Sequence, residues 1–224
     1  MSYDFDWAYV ITALPRFQGA VLLTVQVFLT ALALSTSGAI VMTLLGRLGN
    51  PLADAVLTFI SWLFRGLPEL IVLLFTFLAL PGLGVPLSPF WAAVVGLAAI
   101  SMAYEYEILR GALQAVQPQQ YEAARALGIP PLTMYRRVIG PQVARVAVPP
   151  YLTFACTSLK RTSVASSIAV LEIMGFARRL IEVQQKPFEL MLIAMLLYAF
   201  LSSLLMGLEI LARRHFATRG PGAH

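Results

Sequence analysis

The chain has 224 residues, of which 59% are hydrophobic and only 12% charged. A soluble domain carries about 25% charged residues, so the composition excludes one and points to an all-α integral membrane protein. The formal net charge of +5 fits cations flanking membrane spans better than a nucleic-acid surface, and no nucleic acid partner is expected. The single cysteine, Cys156, leaves no disulfide within the chain and no Cys/His metal set.

Residues 17–46 and 70–104 contain no charge. A bilayer crossing takes about 20 apolar residues, and backbone in lipid must bond to itself, so the runs are helices. Five crossings are expected, near 18–44, 55–79, 88–110, 142–166 and 189–211, in one membrane domain over 1–224. The start carries Asp4 and Asp6 and no basic residue, which does not suit a cleaved signal peptide.

The first span carries Thr24, Gln26, Thr30, Ser35, Thr36 and Ser37. Such residues let membrane helices approach closely and bond across. Gly49-Asn50-Pro51 then breaks the chain. The second span contains Arg65-Gly66-Leu67-Pro68-Glu69 inside an apolar run. Pro68 removes a backbone donor and disfavours helix at Leu67. Two readings stand for its charges: a polar break lining a cavity, or an Arg65–Glu69 pair at i,i+4 neutralising itself. The third span ends in Ala103-Tyr104-Glu105-Tyr106-Glu107-Ile108-Leu109-Arg110-Gly111. Glu105 and Glu107 project from nearly opposite sides of a helix, so at most one faces a central path. Arg110 lies one turn from Glu107, suiting a structural ion pair.

A polar, cationic stretch follows, QPQQYEAARALGIPPLTMYRRVIGP over 117–141. It reads as two short helices. Pro118 suits a first turn, Glu122 the favourable N-terminal end and Gly128 a C-terminal cap. The second begins near Pro131 and is expected to stop before Pro141. In the fourth span only Val146–Leu159 is free of charge, so it is expected to run on past Lys160 and Arg161 towards Leu171. Residues 172–187 form a polar segment before the last span.

These pieces together resemble the permease subunit of polar amino acid importers of the ATP-binding-cassette type, the histidine/glutamine-type family. Arg65-Gly-x-Pro matches that family's RG-x-P, and Ala103-Tyr104-x-x-Glu107-x-x-Arg110-Gly111 its A-Y-x-x-E-x-x-R-G. Glu122-Ala123-Ala124, Gly128 and the close at Val138 and Pro141 resemble its EAA loop, with Val138 and Gly140 where the family usually has Ile and Leu. Leu159-Lys160-x-Thr162-Ser163 completes the match, which covers about 17–212. The resemblance implies about five helices in a type I importer fold and a coupling loop at 117–141 that docks an ATPase through Glu122, Ala123, Ala124, Gly128 and Pro141. It also implies two ATPase subunits holding ATP and Mg, a second permease subunit, an external solute-binding protein, and no cofactor on this chain. Glu69 after the RG-x-P proline resembles subunits serving basic amino acids or opines. Path candidates are Arg65, Glu69, Glu105, Glu107, Lys160, Thr162 and Ser163. For Lys160 two roles stay open: receiving a substrate carboxylate, or anchoring the helix at the headgroups.

The alternative is a secondary transporter or channel using intramembrane carboxylates. An ATPase is excluded because no G-x-x-x-x-G-K-S/T loop is present. Two histidines, one of them His224, offer no catalytic or metal cluster. Orientation follows from the cations. Arg47, the 110–145 loop (Arg110, Arg125, Arg136, Arg137, Arg145) and the tail (Arg213, Arg214, Arg219) stand against Arg16 and the 160–186 segment (Lys160, Arg161, Arg178, Arg179, Lys186), nine against six with Arg65 aside. The N-terminus is therefore expected outside, and the C-terminus in the cytosol of a bacterial inner-membrane protein.

Overall fold

The computed structural model describes residues 4–217, with side chains through Arg214; Arg219 and His224 lie outside the described residues. Among these residues the chain is helical and contains no strand. Helix α1 (Trp7–Ala13) passes through a 3-10 turn into α2 (Gln18–Gly46). α3 (Pro51–Gly66) and α4 (Glu69–Leu74) follow, the latter continuing through a π turn and a 3-10 turn to Leu83. α5 (Pro89–Gln114) leads to the short α6 (Pro118–Ala126) and α7 (Pro131–Met134). α8 (Gly140–Arg161) runs on as a 3-10 turn over Thr162–Ile168, before α9 (Ile173–Gln184) and α10 (Pro187–Ala217).

Among the described residues, three stretches are by themselves long and apolar enough to cross a membrane: Trp7–Gly46, Pro89–Gln114 and Pro187–Arg214. The second expected crossing is not one straight helix. α3 and the helical run from Glu69 to Leu83 meet at 103°. Leu67 is extended (φ −84, ψ 138) and Pro68 follows at ψ 131, the conformations that a proline imposes on itself and on its predecessor. α8 is less apolar than the others because it holds Arg145, Lys160 and Arg161. Its helical path does continue beyond Lys160 to Ile168, as expected.

α5 lies at the centre. Ala92, Ala93 and Ala98 are buried on it, and small residues allow close helix approach. There it packs with Val27 and Ala31 of α2, Leu73 of α4, and Ala165 and Ile168 of the 3-10 turn. A second cluster joins Phe17, Ile173, Ala177, Leu190 and Ile193 from the N-terminal run, α9 and α10. Glu172 begins α9 by accepting bonds from the Met174 and Gly175 N–H groups, while Thr24 Oγ1 of α2 accepts the Ile173 N–H at 3.1 Å.

The start of α1 is fastened to the start of α10. Asp6 caps α1 by accepting the Tyr9 N–H at 2.8 Å and pairs with Lys186, and its own N–H donates to Glu189. The bond from Lys186 holds the Asp6 carboxyl below its ordinary range. The depressed value means that stability from this clasp is present above the ordinary carboxylate range and is lost as pH falls through the lowered value. Amide protection factors over residues 7–13, corrected for the intrinsic pH dependence of exchange, are therefore expected to fall on acidification, and to be low already at neutral pH in Lys186→Met. Unchanged protection in that variant would show that the clasp does not hold α1.

Candidate functional site

Two groups of residues stand out: charges around the α3–α4 break, and a helical element between α5 and α8. At the break, the Arg65–Glu69 pair allowed by sequence spacing does not form. Arg65 Nη2 meets Glu107 of α5 at 3.3 Å, and Ser61 Oγ donates to the same carboxylate at 2.9 Å. Glu69 Oε1 meets Arg161 Nε at 2.7 Å. The reason is the break itself: with Leu67 and Pro68 both extended between them, Arg65 and Glu69 no longer share a helix face. Arg110 likewise turns from Glu107 to α3, donating to Thr58 Oγ1 at 2.9 Å with Asp54 Oδ2 at 3.6 Å. Three cation–carboxylate pairs thus tie the broken span to α5 and α8.

Glu105 and Glu107 do point to different neighbours. Glu105 is buried against α2, where Ser35 Oγ donates to its Oε1 at 2.7 Å, and its Oε2 has no protein partner. Thr36 and Tyr151 share a hydrogen bond of 2.8 Å that links α2 to α8.

Lys160 is exposed, and the cation turned into the bundle is its neighbour Arg161. Thr162 Oγ1 and Ser163 Oγ donate to carbonyls of their own turn, those of Leu159 and Lys160. Arg161 was not singled out from sequence, although one signal was available: Phe154, Ser158 and Arg161 recur at helical spacing on one face of α8. Phe154 stacks on Tyr104 of α5 with ring centroids 5.3 Å apart. The Arg161 guanidinium lies 4.9 Å from the Tyr104 centroid and 5.3 Å from that of Phe154, within cation–π range.

In the 117–141 element, α6 ends as expected at Gly128. Gly128 N–H bonds to Arg125 O and Ile129 N–H to Ala124 O, the paired closure of a left-handed cap. Gly128 has φ +67, which a side chain disfavours. Glu122, Ala123 and Gly128 are exposed. Ala124 is not on that face: it is buried with Val116, Met134 and Ile139 in a small core that holds the element together. Its small size serves that packing. Leu127 and Leu132, 77% and 80% exposed, flank Gly128 and were missed from sequence. The expected stop before Pro141 is absent. A π turn over Tyr135–Ile139 carries the helix into α8, and the Gly140 N–H bonds to Tyr135 O. A Cβ on Gly140 would sit 2.5 Å from that oxygen, so the turn requires glycine there. Pro141, exposed, has no N–H to lose in the first turn of α8. Arg47, at the end of α2, lies 5.4 Å and 5.6 Å from the ring centroids of Tyr121 and Tyr135.

Residues 35–217 match the family model of the binding-protein-dependent transport system inner membrane component. The chain belongs to that family. It is a multi-pass permease of an ATP-binding-cassette importer, it works with a separate ATPase and a binding protein, and it is not itself the enzyme. The secondary-transporter alternative is set aside on this finding. A probable amino-acid permease of Bacillus subtilis is 30% identical over 196 residues, covering 86% of this chain and 88% of that one. The nopaline transport system permease of Agrobacterium fabrum is 36% identical over 124 residues, covering 55% of this chain and about half, 52%, of that permease. The octopine transport system permease of Rhizobium meliloti is 34% identical over 168 residues, covering 71% and 66%. A solved amino acid ABC transporter with histidines superposes with a TM-score of 0.86 at 27% identity, over 96% of this chain and all of that chain. The permease belongs to the type I importer fold seen there.

Proposed function

We propose that this permease translocates a cationic amino acid or an opine, and that Glu69 receives the cationic group of the solute. The observation carrying this reading is a carboxylate at a proline break in an apolar run, facing Arg161 between α4 and α8. A carboxylate inside an apolar span is costly without a partner; a guanidinium or ammonium is its natural one, Arg161 within the chain and the solute's cation during transport. The names of the nopaline and octopine relatives, and that of an arginine transport system permease of Corynebacterium glutamicum, agree with a basic solute.

The assembly consistent with this reading has two permease chains, two ATPase subunits holding ATP and Mg on the cytosolic side, and the solute-binding protein outside. The N-terminus lies outside and the C-terminus in the cytosol, with membrane lipid against the exposed apolar faces. Glu122, Ala123 and Gly128, flanked by Leu127 and Leu132, form the ATPase-docking surface, with Ala124 and Pro141 positioning it. Two measurements test the division of labour. The purified chain alone binds no ATP above background; saturable binding would remove this reading. Co-purification with the ATPase is lost when residues 117–141 are replaced by a flexible linker; retention would move the docking surface elsewhere.

A further inference from the structure

We infer that Arg161 is the receptor for the α-carboxylate of the solute, and that the Glu69–Arg161 pair is an internal stand-in that an amino-acid-type ligand displaces. This rests on the proposed amino acid or opine solute and adds the second half of its recognition. Four observations carry it. The pair uses Arg161 Nε, and Arg161 Nη1 is buried with no protein partner. Ser158 Oγ, one turn earlier on the same face of α8, is also buried and without a partner. Both side chains line one small cavity together with Ser101, Thr162, and Phe28 and Leu32 of α2. The guanidinium lies against the Tyr104 and Phe154 rings, which hold it beside the cavity.

Two unpartnered donors converging on one cavity are costly in an apolar interior, and a carboxylate satisfies both. A guanidinium takes a carboxylate through two parallel N–H bonds, whereas Glu69 approaches at Nε. The cavity has no room for an amino acid while the pair is made. A ligand carrying both charges enters by replacing both partners together: its cation goes to Glu69 as its carboxylate goes to Arg161. A ligand with only the cation would leave Arg161 uncompensated, and one with only the carboxylate would leave Glu69 so. The pair therefore selects for both charges on one molecule.

The test is ligand binding to the purified permease–ATPase complex in lipid nanodiscs without the binding protein, whose own selectivity then does not enter. The probes are L-arginine, L-argininamide and agmatine, which share the guanidinium and differ at the carboxylate, with L-glutamine and its α-amide as a pair whose side chain is neutral. The wild type is expected to prefer each acid over its carboxylate-free analogue by tenfold or more. Arg161→Gln abolishes that preference by weakening the acids alone. Arg161→Lys, which keeps the charge and loses the fork, retains part of it, and Ser158→Ala reduces it severalfold. Glu69→Gln weakens the three guanidinium probes together and leaves the preference in place. Should Arg161→Gln not assemble, Arg161→Lys and Ser158→Ala decide. An unchanged acid-to-amide ratio in the arginine variants, or in Lys and Ala if Gln fails, overturns the inference, as does a wild-type complex that binds none of the probes. If the glutamine pair obeys Arg161 while guanidinium probes gain nothing from Glu69, the basic-solute reading fails and the carboxylate receptor stands.

Discussion

Glu69→Gln lowers uptake of arginine or an opine by an order of magnitude or more while the permease still assembles with its ATPase. The substitution keeps size and one hydrogen-bonding oxygen and removes the charge. A charge-assisted hydrogen bond contributes about 1.5–3 kcal/mol, and each 1.4 kcal/mol is about tenfold. Uptake of a neutral solute by the same complex falls much less, because no cation is lost from its side. If Glu69 serves only to neutralise Arg161, the outcome differs: Gln leaves a cation that is half-buried and unpaired, and every solute suffers equally through a destabilised complex. Reconstituted uptake of a cationic and a neutral solute, with co-purified ATPase as the measure of assembly, separates the two. Equal loss for both solutes in an assembled complex rejects Glu69 as the cation receptor.

Gly128→Asp abolishes ATP-driven uptake without removing the chain from the membrane. Nothing lies within 4 Å of a Cβ built at Gly128, so the effect is not a clash inside this chain. Two others act. The left-handed φ of +67 disfavours a side chain, by about 1 kcal/mol, in the residue that closes α6. A carboxylate is also placed between the exposed Leu127 and Leu132, where a docked protein would have to desolvate it. Either loss of co-purified ATPase or ATP hydrolysis uncoupled from uptake fits the prediction. Normal uptake would show that the surface around Gly128 docks nothing.

Much of the architecture was legible because lipid makes hydropathy decisive. Charge-free runs marked the apolar helices α2 and α5, and Pro118, Gly128 and Pro131 marked the short helices between α5 and α8, since cap chemistry is local. Charge pairing was not legible. The rule that places residues four apart on one face holds only while the helix is unbroken, and Leu67 and Pro68 interrupt it between Arg65 and Glu69. The actual partners, Glu107 and Arg161, come from α5 and α8, and no spacing rule reaches across helices. Pro141 was read as a stop because proline usually ends helices; a widened turn at Tyr135–Ile139 and a glycine at 140 accommodate it. Ala124 was grouped with Ala123 by motif, although adjacent helical residues point about 100° apart and only one of them faces outward.

The near-right angle between α3 and α4 has a mechanical consequence. α3 starts just after Arg47, whose side chain rests on Tyr121 and Tyr135 of the 117–141 element, and its 16 residues make a rod of about 24 Å. Pushing that rod along its own axis would do little to stretch α4. It would shear α4 broadside across α5 and α8, and Glu69, as the first residue beyond the corner, would travel with the tip of the rod. A thrust delivered at the 117–141 element would thereby become a sideways stroke at Glu69, the carboxylate that pairs with Arg161.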